Sequence, residues 1–93
     1  MRYVAFWEMD PNDMAKVIAK FSKRDSRPNI GDFKTVFGPV SYGGGPKGFT
    51  VFETDSLDAL VNYTNYYIPE LKMTIYPCND SSFTAQNWVK YYK

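Results

Sequence analysis

Two helix-opening signatures set the order in which this chain can lay down its elements. Asp10-Pro11-Asn12-Asp13 joins an N-cap acid, a proline at the first helical position and an acid that complements the helix dipole. Met14, Val17, Ile18 and Phe21 then fall at i, i+3, i+4 and i+7, the spacing of one buried stripe. Ser56, with Asp58 in the first turn, opens a second helix on which Leu57, Leu60, Val61, Thr64 and Ile68 carry the helical period, until Pro69 blocks continuation. Around the two helices, Arg2 to Met9, about Phe33 to Tyr42, Phe49 to Thr54 and about Leu71 to Pro77 are rich in β-branched and aromatic residues and bounded by turn signals, so they read as strands. The order is βαββαβ.

That order has few three-dimensional solutions. Two right-handed strand-helix-strand crossovers interlock into a four-stranded antiparallel sheet with both helices on one face, the α+β arrangement called ferredoxin-like. The second strand is expected at an edge or bulged, because Gly38-Pro39 interrupts it and proline cannot donate to a ladder. Gly43 to Gly48 reads as the hairpin loop that follows. Residues 1–80 form the domain and 81–93 a tail, a short helix if its Phe83, Trp88, Val89 and Tyr92 share a side. The strands carry apolar residues at both parities: Tyr3, Ala5 and Trp7 beside Val4 and Phe6, and Phe49 and Val51 beside Phe52. A sheet with one wet face would alternate. The helix-free face is therefore expected to be covered, first of all by a second copy of the chain, since isologous dimers are the commonest oligomers.

Composition bounds the chemistry. The 93 residues contain no histidine and one cysteine, Cys78. Ser-His-Asp and Cys-His catalysis are excluded, an internal disulfide is impossible, and the commonest metal ligand is missing. No cofactor and no metal is expected. A formal net charge of +1 gives no field that favours nucleic acid or an anionic membrane. No apolar run is long enough to span a bilayer and no secretory signal is visible, so the cytoplasm is the simplest location.

Trp7 in the first strand, Pro11 opening the first helix, Gly48-Phe49-Thr50-Val51-Phe52-Glu53-Thr54-Asp55 leading into Ser56-Leu57-Asp58-Ala59-Leu60, then Tyr63, Tyr67 and Pro77 form a pattern over about residues 3–80. In it the chain resembles the dimeric α/β-barrel group and, within that group, a small prokaryotic family of unassigned function. The group includes cofactor-free monooxygenases, isomerases, haem enzymes and plain ligand-binding or stress-associated domains. The resemblance implies a fold, and a cleft between sheet and helices or between sheets, but no reaction. The Gly43–Gly45 loop and the aromatic tail lie outside the pattern.

Candidate site residues follow. Glu8 and Glu53 lie near the C-terminal ends of the first and third strands. Those strands are expected to be central parallel neighbours, and if the carboxylates share a face, one pKa would rise and the pair could move protons; otherwise they are two solvated strand ends. Trp7, Tyr42, Tyr63, Tyr66, Tyr67 and Tyr76 are candidate walls of an apolar pocket, or else core and interface. Lys47-Gly48-Phe49-Thr50-Val51-Phe52 begins like the third-strand motif of RNA-recognition domains, but Val51 stands where a second stacking aromatic is needed. The triple glycine at 43–45 joins strands and opens no helix, so it reads as a hairpin tip. Cys78 reads as a small buried hydrophobe. The reading is therefore a homodimeric domain that binds a small apolar or aromatic molecule. The alternatives are a cofactor-independent enzyme of isomerase or monooxygenase type and an RNA-recognition-like module.

Overall fold

The computed structural model describes residues 1–93. Strand β1 (Arg2–Met9) leads through a 3-10 turn at Pro11–Asp13 into helix α1 (Met14–Ser22). A segment with two further 3-10 turns, at Arg24–Ser26 and Ile30–Asp32, returns the chain to the sheet. Strands β2 (Lys34–Ser41) and β3 (Lys47–Glu53), helix α2 (Leu57–Tyr67), strand β4 (Leu71–Cys78) and helix α3 (Ser81–Tyr92) complete the chain. The sheet is antiparallel throughout, in the order β2-β3-β1-β4, which is the ferredoxin-like α+β arrangement with a C-terminal helix added. No helix is long and apolar enough to cross a membrane.

Local signals explain the boundaries. The Asp10 side chain accepts from the Asn12 amide and Ser56 Oγ accepts from the Ala59 amide, so both expected N-caps are formed. β2 is an edge strand, and its register slips twice between Thr35 and Val40. Gly38 sits in that irregularity at φ +93°, where a Cβ would come within 2.9 Å of the Phe49 carbonyl oxygen. β3 begins two residues earlier than its hydrophobic run suggests, because Lys47 pairs with Glu8 and Gly48 with Trp7.

Parity assigns the two sheet faces. Tyr3, Ala5, Trp7 and Met9 of β1, Thr50 and Phe52 of β3, and Leu71, Met73 and Ile75 of β4 point toward the helices; Val17 of α1 and Tyr63 and Tyr67 of α2 meet them there. Phe52 is fully buried at the centre and stacks on Phe33 at 4.5 Å and Tyr3 at 5.5 Å, with Tyr63 tilted against it at 5.0 Å.

The helix stripes depart from expectation in two ways. On α2 the buried residues are Ala59, Tyr63 and Tyr67, while Leu57, Val61 and Ile68 are exposed. Two apolar stripes compete on this helix, and the tyrosine stripe wins because its rings reach the Phe52 cluster while a phenol tolerates a wet edge. On α1 only Val17 is buried; Met14, Ile18 and Phe21 remain exposed, Ile18 at 58%. Helix α1 touches the core with one residue and stands off from the sheet with the rest of its stripe.

The helix-free face carries Val4, Phe6, Phe37, Val40, Phe49, Val51 and Tyr76 as one apolar field. Phe6 contacts Phe49 at 6.1 Å and Tyr76 at 6.2 Å between ring centroids. No other element of the chain covers this face. α3 projects, with Phe83, Trp88, Val89, Tyr91 and Tyr92 exposed. The radius of gyration, 15.3 Å, exceeds the value near 12 Å, roughly, of a compact domain this long.

Candidate functional site

The gap under α1 is the principal concavity of the molecule. It encloses about 510 Å³, within the range of roughly 300–1,000 Å³ usual for small-molecule sites. Its floor is the helix-side surface of the sheet: Trp7 and Met9 of β1, Thr50 of β3, Leu71 and Met73 of β4. Val17, Ile18 and Phe21 of α1 form one wall and Tyr63 and Tyr67 of α2 another. Arg24, Asp25, Arg27, Ile30 and Phe33 close the end, and the irregular edge strand supplies Thr35, Gly38, Pro39 and Ser41 as the rim. The α1 stripe that misses the core is thus the apolar wall of a cleft.

Local backbone rules place the polar groups. Trp7 lies flat on the floor because Gly48 opposite has no side chain; a Cβ there would come within 2.6 Å of the indole ring. The indole Nε1–H donates to Thr50 Oγ1 at 3.2 Å. Arg27 precedes Pro28, which disfavours helical backbone at that residue, and it is extended at φ −65°, ψ 134°. This turns its side chain under the loop, where it is only 4% exposed. The guanidinium lies 4.4 Å over the Phe33 ring and 5.0 Å over the Tyr63 ring. Burial pushes its pKa down, opposed by the nearby Tyr67, Tyr63 and Tyr66 phenols. The Tyr66 hydroxyl donates to the Lys20 carbonyl and ties α2 to the end of α1.

The two cleft tyrosines are held as phenols. Burial raises the Tyr67 pKa to about 12, against the pull of Arg27. Burial also raises that of Tyr63, opposed by the Thr50 hydroxyl and Arg27. Both therefore offer O–H donors at neutral pH. The linkage has a definite sign. The folded-state value for Tyr67 lies above the ordinary 10, so its contribution is complete below pH 10 and is lost as pH rises toward 12, because the unfolded chain releases that proton first. Thermal melts between pH 9 and 11.5 are expected to show stability falling across this window, and Tyr67→Phe should flatten the fall. Equal slopes for the two proteins would show that Tyr67 is not held protonated by its surroundings.

The sequence-derived candidates divide. Trp7, Tyr63 and Tyr67 line the cleft together. Tyr42 does not; it lies beyond β2, with Lys47 Nζ 5.6 Å from its ring, beside a minor hollow shared with Phe6, Glu8 and Lys72. Tyr76 is on the helix-free face against Phe6. Glu8 and Glu53 are not brought together. β1 and β3 are antiparallel neighbours rather than parallel ones, so Glu8 pairs with Lys47 at one end and Glu53 with Arg2 at the other. Six residue steps along the strands separate the carboxylates by about 20 Å. Both share the face turned away from the cleft. Glu53 accepts from Arg2 Nη2 at 2.9 Å and Nε at 3.2 Å, and Glu8 stands 4.0 Å from Lys72 Nζ. Arg27 was missed by pattern reading because it sits in a polar loop without periodicity; the signal available was its place before Pro28, in the crossover that must pass over the sheet.

Comparison with protein-family models matches residues 1–92 to a domain of unknown function, DUF3303. No curated protein and no solved structure matches the chain significantly.

Proposed function

We propose, for a chain that belongs to the DUF3303 family of domains of unknown function, that it is a small-molecule binding domain that works as a homodimer of the dimeric α/β-barrel kind. The observation that carries the binding reading is the detached stripe of α1. Ile18 and Phe21 carry the periodicity of core residues, yet they face a cleft floored by Trp7, Met73 and Leu71. Apolar side chains on both sides of a gap gain free energy when a molecule fills it, at roughly 25 cal/mol per Å² removed from water. Glu8 and Glu53 lie on the far face of the sheet, so the cleft offers binding groups and no paired carboxylates.

Two observations support the homodimer. The chain exposes 6477 Å², where a folded monomer of its mass exposes about 5,500 Å². The excess of roughly 1,000 Å² compares with the ~800 Å² that each partner buries in a standard interface. The apolar field around Phe6 and Phe49 also ends in mixed charges: Arg2, Lys34 and Glu53 at one edge, Glu8, Lys47 and Lys72 at the other. A twofold axis through the field can set acids of one copy near bases of the other.

The binding reading is tested with N-phenyl-1-naphthylamine, a neutral dye that brightens out of water. It is expected to bind the wild-type protein, and Thr35→Trp, which places a large ring at the exposed rim, should weaken binding at least tenfold while leaving circular dichroism unchanged. No brightening, or equal affinity in the two proteins, would remove the cleft as a binding site.

A further inference from the structure

We infer that the cleft takes a monoanionic ligand, a carboxylate on an apolar aromatic or aliphatic body, and that Arg27 is the group that recognises the carboxylate. This rests on the cleft being a binding site and adds the chemical class of its occupant.

Arg27 is 96% removed from solvent, and no carboxylate lies within 4.0 Å of its guanidinium. Its Nη2 is fully enclosed and has no hydrogen-bond partner. Every other buried side-chain nitrogen or oxygen in the protein is satisfied or reaches solvent. Burying a cation without a counter-charge is costly, and an orphaned N–H adds the full desolvation penalty of that group.

The two aromatic rings do not remove this cost. Phe33 and Tyr63 lie 4.4 and 5.0 Å from the guanidinium carbon and attract its charge, but their rings give its N–H groups no conventional acceptor. The five N–H groups lie in the guanidinium plane and point outward from its edge, where only an acceptor can satisfy them. Arg27 lines the cleft; because Nη2 is enclosed, a carboxylate there meets it once the side chain turns that edge outward, and two parallel bonds can then hold it. The Tyr67 phenol oxygen accepts from the guanidinium, which leaves Nη2 still unpartnered, and its O–H stays protonated as a further donor. Trp7, Ile18 and Met73 are left to receive the apolar body.

The charge count selects a monoanion. Arg24, the other cation of the lining, is already engaged: it donates to the Phe21 carbonyl at 3.2 Å and stacks on the Phe21 ring at 4.4 Å. Asp25 also lines the cleft, and no lysine does. One free guanidinium beside an acid suits one negative charge and disfavours a phosphate dianion.

Displacement of N-phenyl-1-naphthylamine by 2-naphthoate and by naphthalene-2-carboxamide tests this. The two competitors share one body and differ in charge. Naphthoate is expected to bind the wild-type protein at least tenfold more tightly than the amide. Arg27→Met should abolish that preference and leave the amide's affinity within about threefold, and Arg27→Lys should keep a reduced preference. Equal affinity of the two competitors for the wild-type protein would overturn the inference while leaving the cleft a binding site. So would a preference that survives in Arg27→Met. If dye and competitors all fail to bind, the cleft reading falls and this inference with it. Should Arg27→Met not fold, the wild-type preference and Arg27→Lys decide: a preference unchanged by lysine, which cannot present the same fork, overturns the role given to Arg27.

Discussion

Phe52→Ala is expected to lower the free energy of unfolding by about 3–5 kcal/mol, out of a total of roughly 5–14 kcal/mol for a chain of this length. Phe52 is the one large side chain with no exposure, and it carries the stack that joins β1, the residue leading into β2, and α2 through Tyr3, Phe33 and Tyr63. Truncation removes the transfer free energy of the ring and leaves a cavity that three aromatic rings, each fixed elsewhere, cannot collapse to fill. In a domain this small each kcal/mol moves the midpoint by roughly 4–8 °C, so the melt should fall by more than 10 °C on the same scale. Leu57→Ala is the matched control. Leu57 is 72% exposed on the outer stripe of α2, and its truncation should cost no more than about 0.5 kcal/mol. Chemical denaturation of the two variants checks both values. A larger loss from Leu57→Ala would mean that α2 packs its other stripe against the sheet.

That comparison also separates what the sequence makes legible from what it does not. The caps at Asp10 and Ser56, the stop at Pro69 and the edge position of β2 are local, because each depends on one residue's backbone chemistry. The βαββαβ order then leaves little choice of sheet topology. The buried stripe of α2 is not local. Leu57, Val61 and Ile68 outrank Tyr63 and Tyr67 on hydrophobicity, and only the Phe52 cluster across the gap decides for the tyrosines. Glu8 and Glu53 are a different case. Each lies near the C-terminal end of its strand, and the antiparallel sheet that the βαββαβ order demands already sets those two ends at opposite edges, so the parallel pairing expected of them conflicts with the topology itself. Arg27 lies furthest from sequence reading. In Arg24-Asp25-Ser26-Arg27-Pro28 only the following proline distinguishes it from Arg24, yet one guanidinium is buried against the Phe33 and Tyr63 rings and the other lies over the Phe21 ring. Binding residues on irregular segments are placed by the scaffold around them, and no periodicity records it.

Phe6→Glu is expected to turn the proposed dimer into a monomer. Light scattering of the wild-type protein at tens of micromolar should give twice the chain mass of 10.7 kDa, and the variant should give that mass once. Phe6 lies near the middle of the apolar field, between Phe49 and Tyr76, on one of the two central strands. In the protomer it is 40% exposed, so a glutamate there can keep water and the fold should survive with unchanged circular dichroism. Across a twofold interface it cannot keep water. The carboxylate would be desolvated near its own symmetry mate, and an unpaired buried charge costs several kcal/mol. Every 1.4 kcal/mol is a factor of ten in the dissociation constant, so weakening by two or more orders of magnitude follows, about 3 kcal/mol. The variant also separates the two surfaces of the sheet. Phe6 is absent from the cleft lining, and dye binding under α1 should survive in the monomer if that cleft is complete within one chain. A wild-type protein that is monomeric at these concentrations, or a Phe6→Glu variant that remains dimeric, would mean that something other than a second copy covers the Phe6 face. The exposed aromatics of α3, Phe83 and Trp88 first among them, would then be the next surface to test as its cover.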